Sequence, residues 1–252
     1  MDGPTSLIGC AGWSLASAVA GHFPAGGSHL ERYAQVLPAV EINSSFYRPH
    51  RPATYARWRD SVPAAFRFAV KMPKVITHER RLRDVEEPLA RFLEEAGHLG
   101  EKLGCLLVQL PPSLCFEPAA AGAFFEALRA RTQGDVVCEP RHATWSSEAA
   151  QRLLADVRVA VVRADPQVVP EVPVQGGVVY FRLHGSPKVY HSEYSGPYLD
   201  ALALELEAHR RAGRRTWCIF DNTASFAAVP NALSLLWRQR EGAPGPRLGA
   251  PC

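Results

Sequence analysis

No apolar run in the sequence is long enough to cross a bilayer, so a membrane-spanning helix is not expected. The six cysteines stand singly, with no CxxC pair, which argues against a disulfide framework or a zinc site. Cys10, Cys105, Cys138 and Cys218 lie inside apolar runs, where a thiol behaves as a small hydrophobe. HxH and HExxH pairs are absent, and with them the usual spacing of histidine-based metal sites. Gly9, Gly12 and Gly21 do not form the GxGxxG turn of a dinucleotide-binding sheet. Charge excess is small: 28 basic against 25 acidic residues leave +3, too little to imply a nucleic-acid or membrane partner. The first five residues, Met1 to Thr5, carry an acid and lack a signal peptide's basic start, so a cytoplasmic location is expected. What the chain does have is core-forming material. Its 252 residues are 47% hydrophobic and 21% charged, which excludes a disordered polymer.

That material is arranged in alternation. Short apolar runs rich in β-branched residues occur at Leu7–Gly12, Ala39–Asn43, Arg67–Lys71, Gly104–Gln109, Asp135–Glu139, Val159–Ala164, Val178–Leu183 and Thr216–Phe220. Such runs suit strands of a parallel sheet buried on both faces. Between them lie helix candidates at His29–Leu37, Pro52–Ser61, Glu86–Lys102, Pro118–Arg131, Ser147–Asp156, Leu199–Arg211 and Ser225–Arg238. In the third, Leu89, Phe92, Leu93, Ala96, Leu99 and Leu103 recur at helical spacing. Pro166–Gly177 reads as no helix, so the sixth crossover is expected to be irregular. Eight strand–helix units of roughly 31 residues predict one α/β domain, a (βα)8 TIM-like barrel over residues 1–240. The Gly- and Pro-rich segment 241–252 is expected to be a disordered tail.

Alternation within strands then sorts side chains by face. Glu41 and Asn43 share parity in the second run, Lys71 ends the third and Gln109 the fourth, and Glu139 is followed by Arg141 in the fifth. Arg163 and Asp165 share parity in the sixth run, Arg182 and His184 in the seventh, and Asp221 follows the eighth. These polar positions cluster at C-terminal strand ends, the face on which barrel enzymes build their sites. Helix-facing positions should be apolar, so the polar set is assigned to the lumen and its mouth. An ion-pair network that only fills the lumen, with Glu41 on Lys71 and Glu139 on Arg182, is the structural alternative; the cost of burying several charges argues for a site.

At these strand ends the chain resembles a known family. The motifs are Ile8-Gly-Cys-Ala-Gly-Trp13, Val40-Glu-Ile-Asn-Ser-Ser-Phe-Tyr47, Phe66-Arg-Phe-Ala-Val-Lys-Met-Pro73 with Ile76-Thr-His-Glu79, and Leu107-Val-Gln-Leu-Pro-Pro-Ser113. Then follow Glu139-Pro-Arg-His-Ala-Thr-Trp145, Tyr180-Phe-Arg-Leu-His-Gly185, and Phe220-Asp-Asn-Thr223 with Asn231-Ala-Leu233. In order and type these resemble the DUF72, or YecE-like, family from Leu7 to about Trp237. The resemblance implies a TIM-like barrel and no particular reaction. One departure is Ser14–Phe23, where the family carries an aromatic-rich stretch.

The chemistry expected is that of a metal-free enzyme, of hydrolase or isomerase/lyase type, acting on a small polar or anionic ligand without a cofactor. Glu41, Lys71, Glu139, His184 and Asp221 are the candidate catalytic residues. Lys71, Arg141, Arg163 and Arg182 would hold a phosphate, carboxylate or polyol, the arginines by bidentate contacts. Asn43, Gln109 and Asn222 would orient hydroxyls, while Trp13, Phe46, Tyr47, Trp145 and Tyr190 could stack on a sugar or base. His78 and Asp165 complete the binding set. Schiff-base chemistry at Lys71 requires neighbours that depress its pKa, whereas pairing with Glu41 would raise it, and a structural lysine is the reading preferred. Two other classes stay open. One is a metal-dependent barrel of the endonuclease IV type, using Glu41, Glu139, Asp165, His184 and Asp221 with His78 or His142. The other is a non-catalytic ligand- or nucleic-acid-binding protein, using Arg80, Arg81 and Arg83 near the mouth or the Arg210–Arg215 cluster. Oligomeric state is not legible.

Overall fold

The computed structural model describes residues 6–170 and 177–241. Its strands are β1 Leu7–Ala11, β2 Ala39–Ile42, β3 Arg67–Lys71, β4 Leu103–Gln109, β5 Asp135–Glu139, β6 Ala160–Val161, β7 Arg163–Asp165, β8 Val178–Leu183 and β9 Arg215–Phe220. Its helices are α1 His29–Ala34, α2 Pro52–Asp60, α3 Glu86–Gly97, α4 Pro118–Arg129, α5 Glu148–Asp156, α6 Gly196–Arg211 and α7 Ala228–Glu241. The strands form one sheet in the order β6-β5-β4-β3-β2-β1-β9-β8-β7, and every pairing is parallel.

The two edge strands of that order are neighbours in the chain, separated only by Val162. β6 pairs with β5 through Val137↔Ala160 and Cys138↔Val161, and the Val162 amide continues that ladder to the Cys138 carbonyl at 2.8 Å. β7 then pairs with β8 through Arg163↔Phe181 to Asp165↔Leu183. One six-residue stretch therefore changes partners midway and all but closes the barrel. The eight strand positions expected are all present, the sixth being broken in two. Of the sixth crossover, residues 166–170 make bends and no helix, and 171–176 lie outside the described residues. The expected tail also lies outside them, apart from Glu241, the last residue of α7.

Helix boundaries follow local chemistry. Ser28 and Glu31 form a reciprocal capping box on α1, and the Ser147 and Ser195 hydroxyls cap α5 and α6. The long third helix ends early, at Gly97, and a 3-10 turn at Gly100–Lys102 delivers the chain to β4. Short turns not expected from the sequence follow several strands: 3-10 turns at Ser17–His22, Ser44–Phe46 and Ala143–Ser146, and a π turn at Val75–Glu79. Among the described residues, no helix is long and apolar enough to cross a membrane.

Strand parity divides the core into two layers. Ile8, Val40, Phe68, Val70, Leu106, Val136 and Phe220 face the helices. Ala39, Ala69, Leu107, Val137, Tyr180, Trp217 and Ile219 face the lumen. Trp217 and Tyr180 stack at 5.8 Å and plug the lower lumen. Gly104 makes room for that plug, since a Cβ there would stand 2.6 Å from the Trp217 ring.

Gly104→Ala is therefore expected to destabilise the fold by about 1–3 kcal/mol through overpacking. Gly122→Ala, inside α4, meets only an ordinary 3.7 Å contact with Leu153 and should stabilise by about 0.5–1 kcal/mol. Urea denaturation of the two variants checks both signs.

Candidate active site at the barrel mouth

Above the aromatic plug the lumen turns polar. Glu41 is in register with Ala11 on one side and Ala69 on the other, and Arg182 is in register with Ala164. These small neighbours leave space for Glu41 and Arg182 to meet across the lumen. Arg182 is 1% exposed and Glu41 is fully buried. The guanidinium donates from Nε to Glu41 Oε2 at 3.0 Å and from Nη2 to Glu41 Oε1 at 2.8 Å. It also reaches Glu139 Oε2 at 3.2 Å from Nη1 and Asp221 Oδ2 at 2.9 Å from Nη2. The Tyr180 hydroxyl donates to Glu41 Oε2 at 2.9 Å. Tyr180 is a site residue absent from the sequence reading. Its signal was the Tyr180-Phe-Arg-Leu-His184 alternation, which puts three polar groups on one face.

His184 bridges two of the same acids. Its Nδ1 lies 3.1 Å from Asp221 Oδ2 and its Nε2 3.1 Å from Glu139 Oε1. Burial opposes charge on the ring, but the hydrogen bonds to Asp221 and Glu139 outweigh it and hold His184 above the ordinary value of 6.5. Its Nε2 also lies 3.2 Å from Arg141 Nη2 and 3.4 Å from Arg182 Nη1. Burial likewise pushes Glu139 and Asp221 upward, yet Arg182 and the bonds to His184 keep both below the usual carboxylate range. Arg141 grips Glu139 Oε1 from Nε at 3.0 Å and from Nη2 at 2.8 Å, with its side chain 24% exposed. The Tyr190 ring stands edge-on to His184 at 5.7 Å, on a residue with φ +67°. Gly185 permits the turn between them: its φ is +95°, and a Cβ would lie 2.9 Å from the Ser192 carbonyl. A cleft of about 100 Å3, lined by Glu139, Arg141, Pro166, Val168, His184 and Val189 among others, opens onto this network.

Lys71 differs from its neighbours. It is 5% exposed, and among the described residues its Nζ makes no ion pair; it sits 4.2 Å from the centroid of the Phe46 ring. The pairing with Glu41 considered from the sequence is not formed, because Arg182 and Tyr180 take both oxygens of that acid. Burial and the Arg182 charge bring the Lys71 amine down to about 8. His78 packs edge-on to Phe46 at 4.8 Å, and burial, then Lys71 and Arg141, lower its pKa.

The other expected site residues scatter. Asn43 N-caps the turn that carries Phe46, and its Oδ1 is buried without a partner. Gln109 ends β4 in register with Glu139 and is 6% exposed. Tyr47 packs on Phe46 and is 67% exposed. Trp13 meets Trp58 of α2 edge-on at 5.0 Å, away from the charges. Trp145 is buried, and its Nε1 donates to the Leu114 carbonyl at 2.9 Å, which makes it packing. Asn222 Nδ2 donates to Ser192 O and to Asn231 Oδ1, each at 2.9 Å, and so ties a loop to α7. Arg163 and Asp165 face outward, against the expectation that strand 6 follows the polar-inward pattern. Ala160, Val162 and Ala164 are its inward residues, while Arg163 bonds Glu205 of α6 and Asp165 lies beside Tyr194 and Tyr198.

The donor set bears on metal chemistry. Among the described residues no group of three or more His, Cys, Asp or Glu is arranged to hold an ion, because Glu41, Glu139 and Asp221 are turned onto Arg182. The surface arginines proposed for nucleic acid have local partners. Arg81 bonds Ser113, Arg83 bonds Glu117, Arg210 and Arg211 share Glu207, and Arg215 bonds Asp135.

The family model described as protein of unknown function DUF72 matches residues 7–248. The UPF0759 protein YecE of Escherichia coli K12 is 34% identical over 86 residues, which cover 34% of this chain and 32% of YecE. The match thus spans about a third of that relative. A DUF72 family protein from Enterococcus faecalis superposes with a TM-score of 0.79 at 20% identity, covering 98% of this chain and all of that one. One from Thermotoga maritima gives 0.78 at 24%, covering 94% and 100%. A methyltransferase from Methanosarcina mazei gives 0.50 at 10%, covering 95% of each chain. At such identities the solved structures establish the fold alone.

Two outcomes are expected. Arg182→Met strands three buried carboxylates and should cost about 3–5 kcal/mol in urea denaturation. His184, held above 6.5, contributes stability that is complete below that pH and lost as pH rises through the raised folded value. Glu139 and Asp221, held low, contribute stability above about pH 4.5 that is lost in acid as pH falls through their lowered folded values. Denaturation of the protein and of His184→Gln from pH 4 to 8 should show the loss above 6.5 in the parent only.

Proposed function

The chain belongs to the DUF72 family, and we propose on that premise that it is a metal-free acid/base enzyme of hydrolase or isomerase/lyase type acting on a small anionic substrate. The observation that carries this reading is His184, a buried imidazole held between the carboxylates of Glu139 and Asp221 on the wall of an open cleft. Burying such a group costs several kcal/mol, and a packed core would do better with apolar residues of the same volume. In a cleft the arrangement has a use: the two carboxylates raise the proton affinity of a buried imidazole beside a place where substrate can sit.

Roles follow from what each group has left to offer. Arg182 is saturated by Glu41, Glu139 and Asp221 and fixes their positions, so it acts by positioning. Arg141 keeps part of its guanidinium toward solvent and would anchor a carboxylate or phosphate by a charge-assisted fork. His184 would donate the proton, with Glu139 and Asp221 stabilising the ring throughout. Lys71 and His78 both pack on the Phe46 ring, outside the residues that line this cleft. Arg141, with part of its fork toward solvent, and His184 present hydrogen-bond donors to the cleft, which suits an anion. Phosphorylated, carboxylated and sugar-like compounds of a few carbons fit that description.

The test is turnover of a panel of such compounds, followed by proton and phosphorus NMR in the presence of EDTA. At least one should be consumed, and His184→Gln should slow it by roughly 100-fold or more while retaining the fold. Consumption that requires an added divalent ion would overturn the metal-free reading. Binding without consumption of any compound would make the protein a ligand carrier instead.

A further inference from the structure

We propose that Lys71 is a covalent site: its Nζ condenses with the carbonyl carbon of a small oxo acid or phosphorylated aldehyde held at the barrel mouth, forming an iminium. This rests on the small-anion reading above and narrows it to carbonyl compounds.

Four lysines occur in the chain, and the structure uses them differently. Lys74 pairs with Glu79 at 3.0 Å, and Lys102 donates to two backbone carbonyls at 2.6 Å. Lys188 is exposed. Lys71 alone of the four is buried at the C-terminal end of a strand, with no ion pair among the described residues and an aromatic face beneath its amine. A lysine retained for charge would take one of the three carboxylates nearby. Here Arg182 takes all three, and this keeps the amine unpaired. At pH 8 an amine whose pKa is about 8 is half neutral, whereas an ordinary lysine at 10.5 is neutral to only a few parts per thousand. The nucleophile advantage is therefore on the order of a hundredfold.

Proton traffic has a carrier at hand. His78 and Lys71 share the Phe46 ring, at 4.8 Å and 4.2 Å from its centroid, which brings the imidazole near the amine. Its Nδ1 is engaged by the Thr77 hydroxyl at 2.8 Å, and Nε2 is the nitrogen assigned to the relay. In the addition step the Nζ lone pair forms the C–N bond, the carbonyl π pair moves to oxygen, and the nitrogen's surplus proton passes through His78 to that oxygen. In the second step His78, reprotonated from solvent, gives that proton to the hydroxyl, the C–O bond breaks to release water, and the nitrogen lone pair closes the C=N bond. Amine, carbonyl and one proton give iminium and water, with no oxidant or metal required. Arg141 supplies the anchor for the anionic end.

The intact protein is incubated at pH 8 with pyruvate, glyoxylate or glycolaldehyde phosphate and sodium cyanoborohydride, then digested and mapped by mass spectrometry. The reduced adduct should form on Lys71 at least roughly tenfold faster than on Lys188, with a pH midpoint near 8 rather than 10. Lys71→Arg should lose it while keeping its circular dichroism. Labelling without preference among the four lysines, or no labelling, overturns the proposal. Binding of the same anions without reductant, followed by saturation-transfer NMR and weakened in Arg141→Ala, separates the two levels. If binding persists without adducts, the imine falls and the anion site stands; if neither occurs, both fall.

Discussion

Three carboxylates and one guanidinium meet in a space that almost excludes water, and the mouth of this barrel depends on that meeting. Each acid alone would be costly to bury, and the arginine alone would be as costly. Together they are tolerable because Arg182 offers a planar fork whose edges address different partners: Glu41 on two atoms, Glu139 on one, Asp221 on one. The three acids come from β2, β5 and the end of β9, on different sides of the lumen. One side chain thus sets the spacing of three strand ends, and His184 repeats two of those links from one residue pair further along β8.

A saturated guanidinium determines the character of everything around it. With Glu41 spent on Arg182 and Tyr180, Lys71 makes no ion pair among the described residues, and burial and then the Arg182 charge press it toward its neutral form. With Glu139 and Asp221 held ionised, His184 is pressed toward its charged form. Beside the same cluster a lysine is lowered, by burial and then by Arg182, and a histidine is raised, by its bonds to Asp221 and Glu139. Neither effect requires the substrate to be present. Both are consequences of geometry fixed by the barrel.

Much of this was legible in the residues. Strand positions could be read because parallel strands buried on both faces appear as unbroken apolar runs, and the polar strand ends stood out against them. Glu41, Lys71, Glu139, Arg182, His184 and Asp221 were grouped correctly by parity alone. Parity identifies residues that share a face without saying which face, and strand 6 exposed that gap. Arg163 and Asp165 share a face, but it is the outer one, because α6 brings Glu205 and the tyrosines Tyr194 and Tyr198 bring polar partners there. The exchange of partners at Val162 left no mark in the sequence, since it is an event of hydrogen bonding and not of side-chain pattern. Aromatic residues fared least well. Trp145 and Phe46 sit in similar motifs after strands, yet one is fixed in packing by Leu114 and the other lies under an amine. Hydrophobic area has no direction in one dimension, so only tertiary neighbours separate them.

The choice between filler and function turns on unequal satisfaction. A network that only filled the lumen would be expected to satisfy every charged member, since each unsatisfied one costs free energy and a substitution could remove it. Here Arg182, Glu41, Glu139 and Asp221 are satisfied, while Lys71 has no ion-pair partner among the described residues, Asn43 Oδ1 has no bond, and Arg141 keeps part of its fork toward solvent. These three stand at or just past the C-terminal ends of β2, β3 and β5, where the lumen opens; elsewhere Asp165 Oδ2, Trp217 Nε1 and Asn222 Oδ1 are also buried without a bond among the described residues. A barrel that spends its strongest cation on holding acids in place, and leaves its weaker cations reaching into the opening, keeps vacant hydrogen-bonding capacity where a ligand can take it up.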